Sequence, residues 1–377
     1  MSARGEWTAV RAQVGVWGGK CPAVGNRRLT WRERYGVLLE VFDAEGRRGL
    51  GEASPLPGFS PDTLEQCHDA LAAWCRTLPR GVTMAHFANP PAVMPHPPAA
   101  RFAVETALLD LEGKRDPVVP VTRLLCREPC RGVHVFRLLS GRRVDLLARQ
   151  VRRGLEEGFW TFKLKVGGAG SFEHDLRLVG RLREAVPGNW RLRLDANGSW
   201  SRSEAPGFLE RLARWRIELV EDPVPAGELP DLPPGPIPIA ADEALAEGET
   251  RCRLLRSPSC RLWVLKPTLL GGFQRCRDLE HQAREHGIQC LFSHCFEGPV
   301  GLAAVRAVAL WLGDARYSDA PAGTAGGDPH APSREEVYAH GVDLHPALAA
   351  FPPLPVPGGG AARLEPTWEG GGLGVEP

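Results

Sequence analysis

Five lysines stand against 41 arginines in this chain of 377 residues, and three of them, Lys163, Lys165 and Lys266, lie inside apolar, strand-like runs. A guanidinium keeps its proton at ordinary pH, whereas a lysine gives its proton up once burial or a neighbouring cation lowers its pKa. A chain that uses Arg as its general surface cation leaves Lys for acid–base chemistry. Lys163 and Lys165 are two apart in Phe162-Lys-Leu-Lys-Val166, so both project from the same side of a strand.

Three carboxylates accompany them. Lys165, Asp195, Glu221, Asp242, Lys266 and Ser293 end consecutive apolar runs at intervals of 21 to 30 residues, each the length of one strand–helix unit. Asp195, Glu221 and Asp242 make a hard, all-oxygen set suited to Mg2+, with Mn2+ as a substitute. Beside such a cation and beside each other, Lys163 and Lys165 are both expected to have depressed pKa values. A substrate carboxylate on the metal has an acidified α-proton, which makes Lys165 the candidate base and Lys266, across the site, a second base or a cationic stabiliser. Asp222 and Glu243 follow two of the ligands directly and are expected to point the other way and support them.

Soft-metal chemistry is not expected. The ten cysteines are scattered; Cys126 and Cys130 form one C-x3-C without a second pair, and Cys290, His294 and Cys295 lack a fourth ligand. They read as reduced thiols. Gly167-Gly-Ala-Gly170 lacks the Lys-Ser/Thr that follows a phosphate-binding loop, so it reads as a turn.

The elements that must position these groups follow from periodicity. Alternating residues predict strands over 7–15 and 36–43, separated by a Gly- and Arg-rich segment, 17–35. Helical spacing marks 61–77 and 100–111, so the first 116 residues form an α+β unit. After that, eight apolar runs alternate with helical segments: 133–139, 161–166, 191–195, 217–221, 237–242, 262–266, 289–293 and 316–319. Eight such repeats predict an α/β fold of (β/α)8 type over 117–325, with the strand C-termini forming one mouth. One helix, between the fifth and sixth strands, is expected to be reduced. The C-terminal segment 326–377 follows, rich in Pro and Gly over 345–377.

With 46 basic against 45 acidic residues and a formal net charge of +1, the chain has no basic excess for nucleic acid. It shows no run long and apolar enough to span a membrane, and the expected location is the cytoplasm. Oligomeric state is not legible.

Together, Phe162-Lys-Leu-Lys-Val166, Leu194-Asp-Ala-Asn197, Val220-Glu-Asp-Pro223, Ala241-Asp-Glu243 and Leu265-Lys-Pro-Thr268 resemble the strand-end motifs of the enolase superfamily, in the branch with a lysine on both faces. Gly51-Glu-Ala-Ser-Pro-Leu-Pro-Gly-Phe-Ser60 and Val264-Leu-Lys-Pro-Thr-Leu269 resemble more narrowly the o-succinylbenzoate synthases of menaquinone biosynthesis. The resemblance implies a lyase with a capping domain over a barrel and Mg2+ on Asp195, Glu221 and Asp242. It implies as substrate a small carboxylate, 2-succinyl-6-hydroxy-2,4-cyclohexadiene-1-carboxylate (SHCHC). Lys165 would remove its α-proton, Lys266 would stabilise the enediolate, and Lys163 would orient the carboxylate or tune Lys165. Gly370-Gly-Gly-Leu-Gly-Val375 resembles the segment that returns to the cap. The nearest rival is an N-acyl amino acid racemase or dipeptide epimerase, which shares the lysines; Ser318-Asp-Ala-Pro321 supplies one acid where dipeptide epimerases usually show Asp-x-Asp.

The chain departs from the family at Phe292-Ser-His-Cys-Phe-Glu-Gly298. Ser293 and Glu297 match, but His294, Cys295 and Gly298 replace hydroxyl residues expected to help hold the succinyl carboxylate. His294 either takes over that contact or packs in its loop. Asn197, Ser293, Lys20 and Arg34 complete the candidate substrate contacts.

Overall fold

A computed structural model describes residue 9 and residues 11–25, 29–78, 94–115, 133–168, 172–312, 339–343 and 363–364. Strands β1 (Arg11–Gly25), β2 (Thr30–Phe42) and β3 (Arg48–Ala53) form an antiparallel sheet in that order. Val37, Leu39 and Val41, alternate residues of β2, are fully buried. They meet helices α1 (Leu64–Arg76) and α2 (Pro98–Arg115), whose Leu71, Trp74, Ala103 and Leu108 complete the core. Thr63 and Gln66 start α1 by exchanging side-chain-to-backbone hydrogen bonds of 3.1 and 2.9 Å.

The 17–35 segment, read from sequence as an intervening stretch, is paired ribbon for most of its length. Gly18, Gly19 and Lys20 stand opposite Tyr35, Arg34 and Glu33, and the register shifts between Lys20 and Val24. Main-chain pairing needs no side-chain alternation, which is why the pattern gave no sign of it.

The second layer is a parallel sheet in spatial order β5 (Arg137–Leu139), β6 (Thr161–Lys165), β7 (Arg191–Asp195), β8 (Ile217–Glu221), β9 (Ile239–Ala241), β10 (Cys260–Leu265) and β11 (Gln289–Phe292). A short β4 (Val133–His134) precedes it. Five outer helices run over Val144–Glu156, Phe172–Ala185, Ala205–Ala213, Phe273–Glu285 and Pro299–Leu312, in the intervals between the strand runs. The β9–β10 connection is reduced, as expected, to a 3-10 turn and the seven-residue helix Gly248–Leu254. The β8–β9 connection is reduced as well, to the 3-10 turn Ala226–Asp231; prolines 223, 225, 230, 233, 234, 236 and 238 remove the donors that a longer helix needs.

Outward residues such as Phe162, Leu164, Leu192 and Leu194 pack on the helices, while Leu219, Ala240, Leu262, Val264 and Leu291 fill the barrel interior. The eighth run, 316–319, lies outside the described residues, as do Gly370–Val375. Residues 339–343, which fall in the segment that the sequence set apart as a tail, span the gap between β5 and β11. Phe136 N–H donates to His340 O (3.0 Å), His340 N–H to His134 O (2.7 Å) and Gly341 N–H to Phe292 O (2.8 Å). Buried Arg193 and Arg306 grip this segment through Ala339 O (2.6 Å) and Val342 O (3.0 Å). The result is a (β/α)8-type barrel under an α+β cap. Among the described residues no helix is long and apolar enough to cross a membrane.

Cap and barrel are joined through Glu105 of α2. Its buried carboxylate accepts the N–H groups of Phe273 (2.5 Å) and Gln274 (3.3 Å), the first turn of a barrel helix. Burial pushes its pKa up to about 7, against Arg101. Replacing Glu105 by Ala strands those buried donors, and a loss of about 1–3 kcal/mol is expected, read as a lower midpoint in guanidinium unfolding.

Candidate active site

Neighbouring strands in register bring their last residues side by side. Lys165 stands opposite Asp195, and Asp195 opposite Glu221. Asp242 follows β9 and Lys266 follows β10. A cavity of about 820 Å³ opens over these ends, lined by Lys163, Lys165, Asp195, Asn197, Asp242, Lys266, Ser293 and His294. Trp31, Leu56 and Phe59 of the cap also line it.

The acids face the lysines. Lys163 Nζ donates to Glu221 Oε1 (2.6 Å) and lies 3.0 Å from Asp195 Oδ2; Lys266 pairs with Asp242. Among the described residues no three His, Cys, Asp or Glu side chains converge at metal-ligand spacing. Burial pushes Glu221 up to about 7, with Asp195 and Asp242 adding to the rise and Lys163 opposing it. Asp222, also buried, accepts the N–H groups of Asp242 (3.0 Å) and Glu243 (2.9 Å), so it fixes the turn that presents Asp242.

The lysines are not alike, which corrects the expectation that Lys163 and Lys165 both lose proton affinity. Burial lowers the pKa of Lys163, but Asp195 and Glu221 outweigh it and hold the group above its ordinary value. Asp242 does the same for Lys266. Lys165 alone is lowered, by burial and by the like charges of Lys163 and Lys266, with Asp195 opposing. Its Nζ donates to Gly25 O of the cap hairpin (3.1 Å), and Lys266 Nζ stands 5.2 Å from the centre of the Phe59 ring.

Asn197 has a left-handed backbone (φ 44°) and a buried Oδ1 without a hydrogen-bond partner. Ser293 Oγ donates to Gly341 O (3.3 Å). His294 lines the cavity and also packs in its loop: its Nδ1 accepts Phe296 N–H (3.0 Å) and therefore carries no proton. Two sequence candidates lie elsewhere. Arg34 is buried outside the cavity lining and donates to Phe296 O, Pro55 O and Ser54 O, all at 2.9 Å, so it is a clamp on backbone and not a substrate contact. Lys20 is exposed on the hairpin, likewise outside the lining.

Residues 146–376 match the family described as Enolase C-terminal domain-like, and residues 23–111 match MenC, N-terminal domain. The o-succinylbenzoate synthase of Edwardsiella ictaluri is 31% identical over 297 residues, covering 77% of this chain and 82% of the relative. The Klebsiella pneumoniae enzyme of the same name is 32% identical over 292 residues, 76% and 81% of the two chains. The chain belongs to the o-succinylbenzoate synthase family of the enolase superfamily. Solved superfamily structures share the fold at lower identity. A dipeptide epimerase from Enterococcus faecalis superposes with a TM-score of 0.79 at 23% identity, covering 98% of this chain and all of that one. A muconate lactonizing enzyme from Pseudomonas fluorescens gives 0.79 at 20%, covering 98% and 97%.

Sequence reasoning passed over Glu52, whose buried carboxylate accepts Gly298 N–H (2.6 Å) and Gly301 N–H (2.8 Å). It also passed over the part played by Glu297, which accepts from Thr268 Oγ1 (2.6 Å) and Cys295 N–H (2.5 Å). Only the resemblance of their motifs marked them. Because Arg34 satisfies three carbonyls, Arg34→Ala is expected to lower unfolding free energy by about 3 kcal/mol or more. Lys20→Ala is expected to change kcat/KM by less than about two-fold. Parallel unfolding and steady-state assays on the two variants check both.

Proposed function

We propose that this protein is an o-succinylbenzoate synthase that dehydrates SHCHC to 2-succinylbenzoate. The observation that carries the reading is the likeness to o-succinylbenzoate synthases over three quarters of the chain, and the site fits it: Lys165, whose pKa is lowered, stands between two lysines that carboxylates hold above their ordinary value. A dehydration that ends in an aromatic ring needs one base and fixed positive charge, which is what this set supplies.

Lys165 takes the proton from the ring carbon that bears the carboxylate, and the C–H electron pair moves toward that carboxylate. The ammonium so formed returns a proton to the 6-hydroxyl on the same face, the C–O bond breaks, and water leaves as the ring becomes aromatic. Lys266, kept protonated by Asp242 on the other side, faces the developing negative charge. Lys163 orients Asp195 and Glu221 and adds the like charge that depresses Lys165. Asn197, Ser293 and His294 are the proposed substrate contacts. The cap loop that carries Leu56 and Phe59 covers the mouth and keeps water out.

Asp195, Glu221 and Asp242 are the residues that would hold a divalent cation, Mg2+ or Mn2+. The oxygen-only donor set fits a hard ion, and Glu221, raised first by burial and then by the charges of Asp195 and Asp242, is a carboxylate that a dication would favour in its ionised form. When bound, the cation would supply positive charge to the substrate carboxylate and acidify the adjacent C–H. The proposed division is a cap of residues 1–116 and a barrel of 117–325 that residues 339–343 of the C-terminal segment, 326–377, complete, the end of that segment returning to the cap; the proposed location is the cytoplasm.

Ultraviolet absorbance of SHCHC with purified protein and Mg2+ tests the reading. The diene band is expected to disappear with the wild type, to persist after EDTA, and to fall about 10²- to 10⁴-fold more slowly with Lys165→Ala. Since the base acts unprotonated, kcat/KM is expected to drop as pH falls through the Lys165 pKa, which lies below 10.5. An inert wild type that racemises N-acyl amino acids would move the assignment to the racemase.

A further inference from the structure

The loop Ser293–Gly298 carries two proposed substrate contacts; its start is held by the barrel, through Leu265 O and Gly341 O, and its far end also by the cap. Arg34 grips Phe296 O, and Glu52 takes the N–H groups of Gly298 and Gly301. Glu297 ties the same loop to Thr268, two residues beyond Lys266. At the centre lies the indole of Trp17. A Cβ on Gly298 would stand 2.5 Å from Trp17 Cζ2 and 2.7 Å from Cη2, and a Cβ on Gly36, the residue opposite Trp17 in the ribbon, would overlap Trp17 Nε1. Two glycines, one in the cap and one in the barrel, thus form a notch that the ring fills. This accounts for the missing hydroxyl side chain at 298, for which the ring leaves no room.

We propose that Trp17 is a positioning residue of this enzyme, a wedge of the cap hairpin seated between Gly36 and Gly298 that sets the loop carrying Ser293 and His294 and thereby its hold on substrate. Trp17 does not line the cavity, so it acts through the loop and not by touching substrate. Its contact atoms toward Gly298, Cζ2 and Cη2, belong to the six-membered ring, the part of an indole that a phenyl group on the same backbone does not reach.

The choice of SHCHC as substrate rests on the synthase reading, so two readouts are paired. In steady-state assays with Mg2+, Trp17→Ala and Gly298→Ala are each expected to raise KM about ten-fold, because small misplacements of a binding group cost that much. The acid limb of the kcat profile stays in place, since Lys165 is untouched. On the Trp17→Ala background the two closest contacts of the added methyl are gone and Glu52 Oε2, at 2.9 Å, remains, so Gly298→Ala is expected to raise KM clearly less than it does with Trp17 present. Equal effects in both backgrounds, or a Trp17→Ala enzyme of unchanged KM, overturn the proposal. Hydrogen exchange by mass spectrometry over 293–298 decides it even if the wild type is inert toward SHCHC, an outcome that counts against the synthase reading alone. Faster exchange at Cys295, Phe296 and Gly298 in Trp17→Ala supports the wedge, and unchanged protection refutes it. Should Trp17→Ala not fold, Trp17→Phe empties the same notch, and the same two readouts apply to it.

Discussion

Everything in this structure answers to one electrostatic constraint: three lysines and four carboxylates lie mostly buried at and just behind the barrel mouth. An isolated ion there is very unfavourable, and removing one partner of such a set typically costs about 3–5 kcal/mol. The charges are tolerable because each acid has its own cation or its own backbone donors: Lys163 for Asp195 and Glu221, Lys266 for Asp242, and two N–H groups for Asp222. Lys165 is the member least well matched, and that mismatch is its chemical value. A base at a site evenly paired in charge would hold its proton firmly; one placed beside two secured ammonium groups gives it up more readily.

The same constraint explains the cap. Barrel strands alone can bring the acids and lysines together but leave them under open solvent, where their mutual effects would be weakened. The cap loop lays Leu56 and Phe59 over the mouth, and the hairpin brings the carbonyl of Gly25 onto Lys165. The attachment is itself polar and buried, through Glu105, Glu52 and Arg34, each spending its hydrogen-bonding capacity on backbone of another element. Such contacts are directional, so they fix where the cap sits as well as holding it there.

Much of this was legible in the sequence for a simple reason. Lys163, Lys165, Asp195, Glu221, Asp242 and Lys266 sit at the ends of apolar runs, and both run length and repeat length are set by local geometry. What the sequence concealed depends on long-range partners. The opposite pKa shifts of Lys163 and Lys165, two residues apart, arise from which carboxylate each side chain reaches across the sheet. Arg34, taken for a substrate contact, proved to be committed to three carbonyls, one of them 262 residues away. Residues 339–343 have too few apolar side chains to read as a strand, because their place is held by hydrogen bonds to both neighbours and by two buried arginines.

That closing segment also governs when the protein can become a protein. Strand pairing from β5 to β11 proceeds between neighbours in sequence, but the seam at Val135 and Ser293 waits for His340 and Gly341. Without residues 339–343 the described strands leave two edges unpaired, the kind of surface on which β-sheet proteins aggregate. A contact spanning about 200 residues is also slow to form by chain diffusion. The hydrogen bonds of this segment therefore cover both edges at once, and weakening them exposes both.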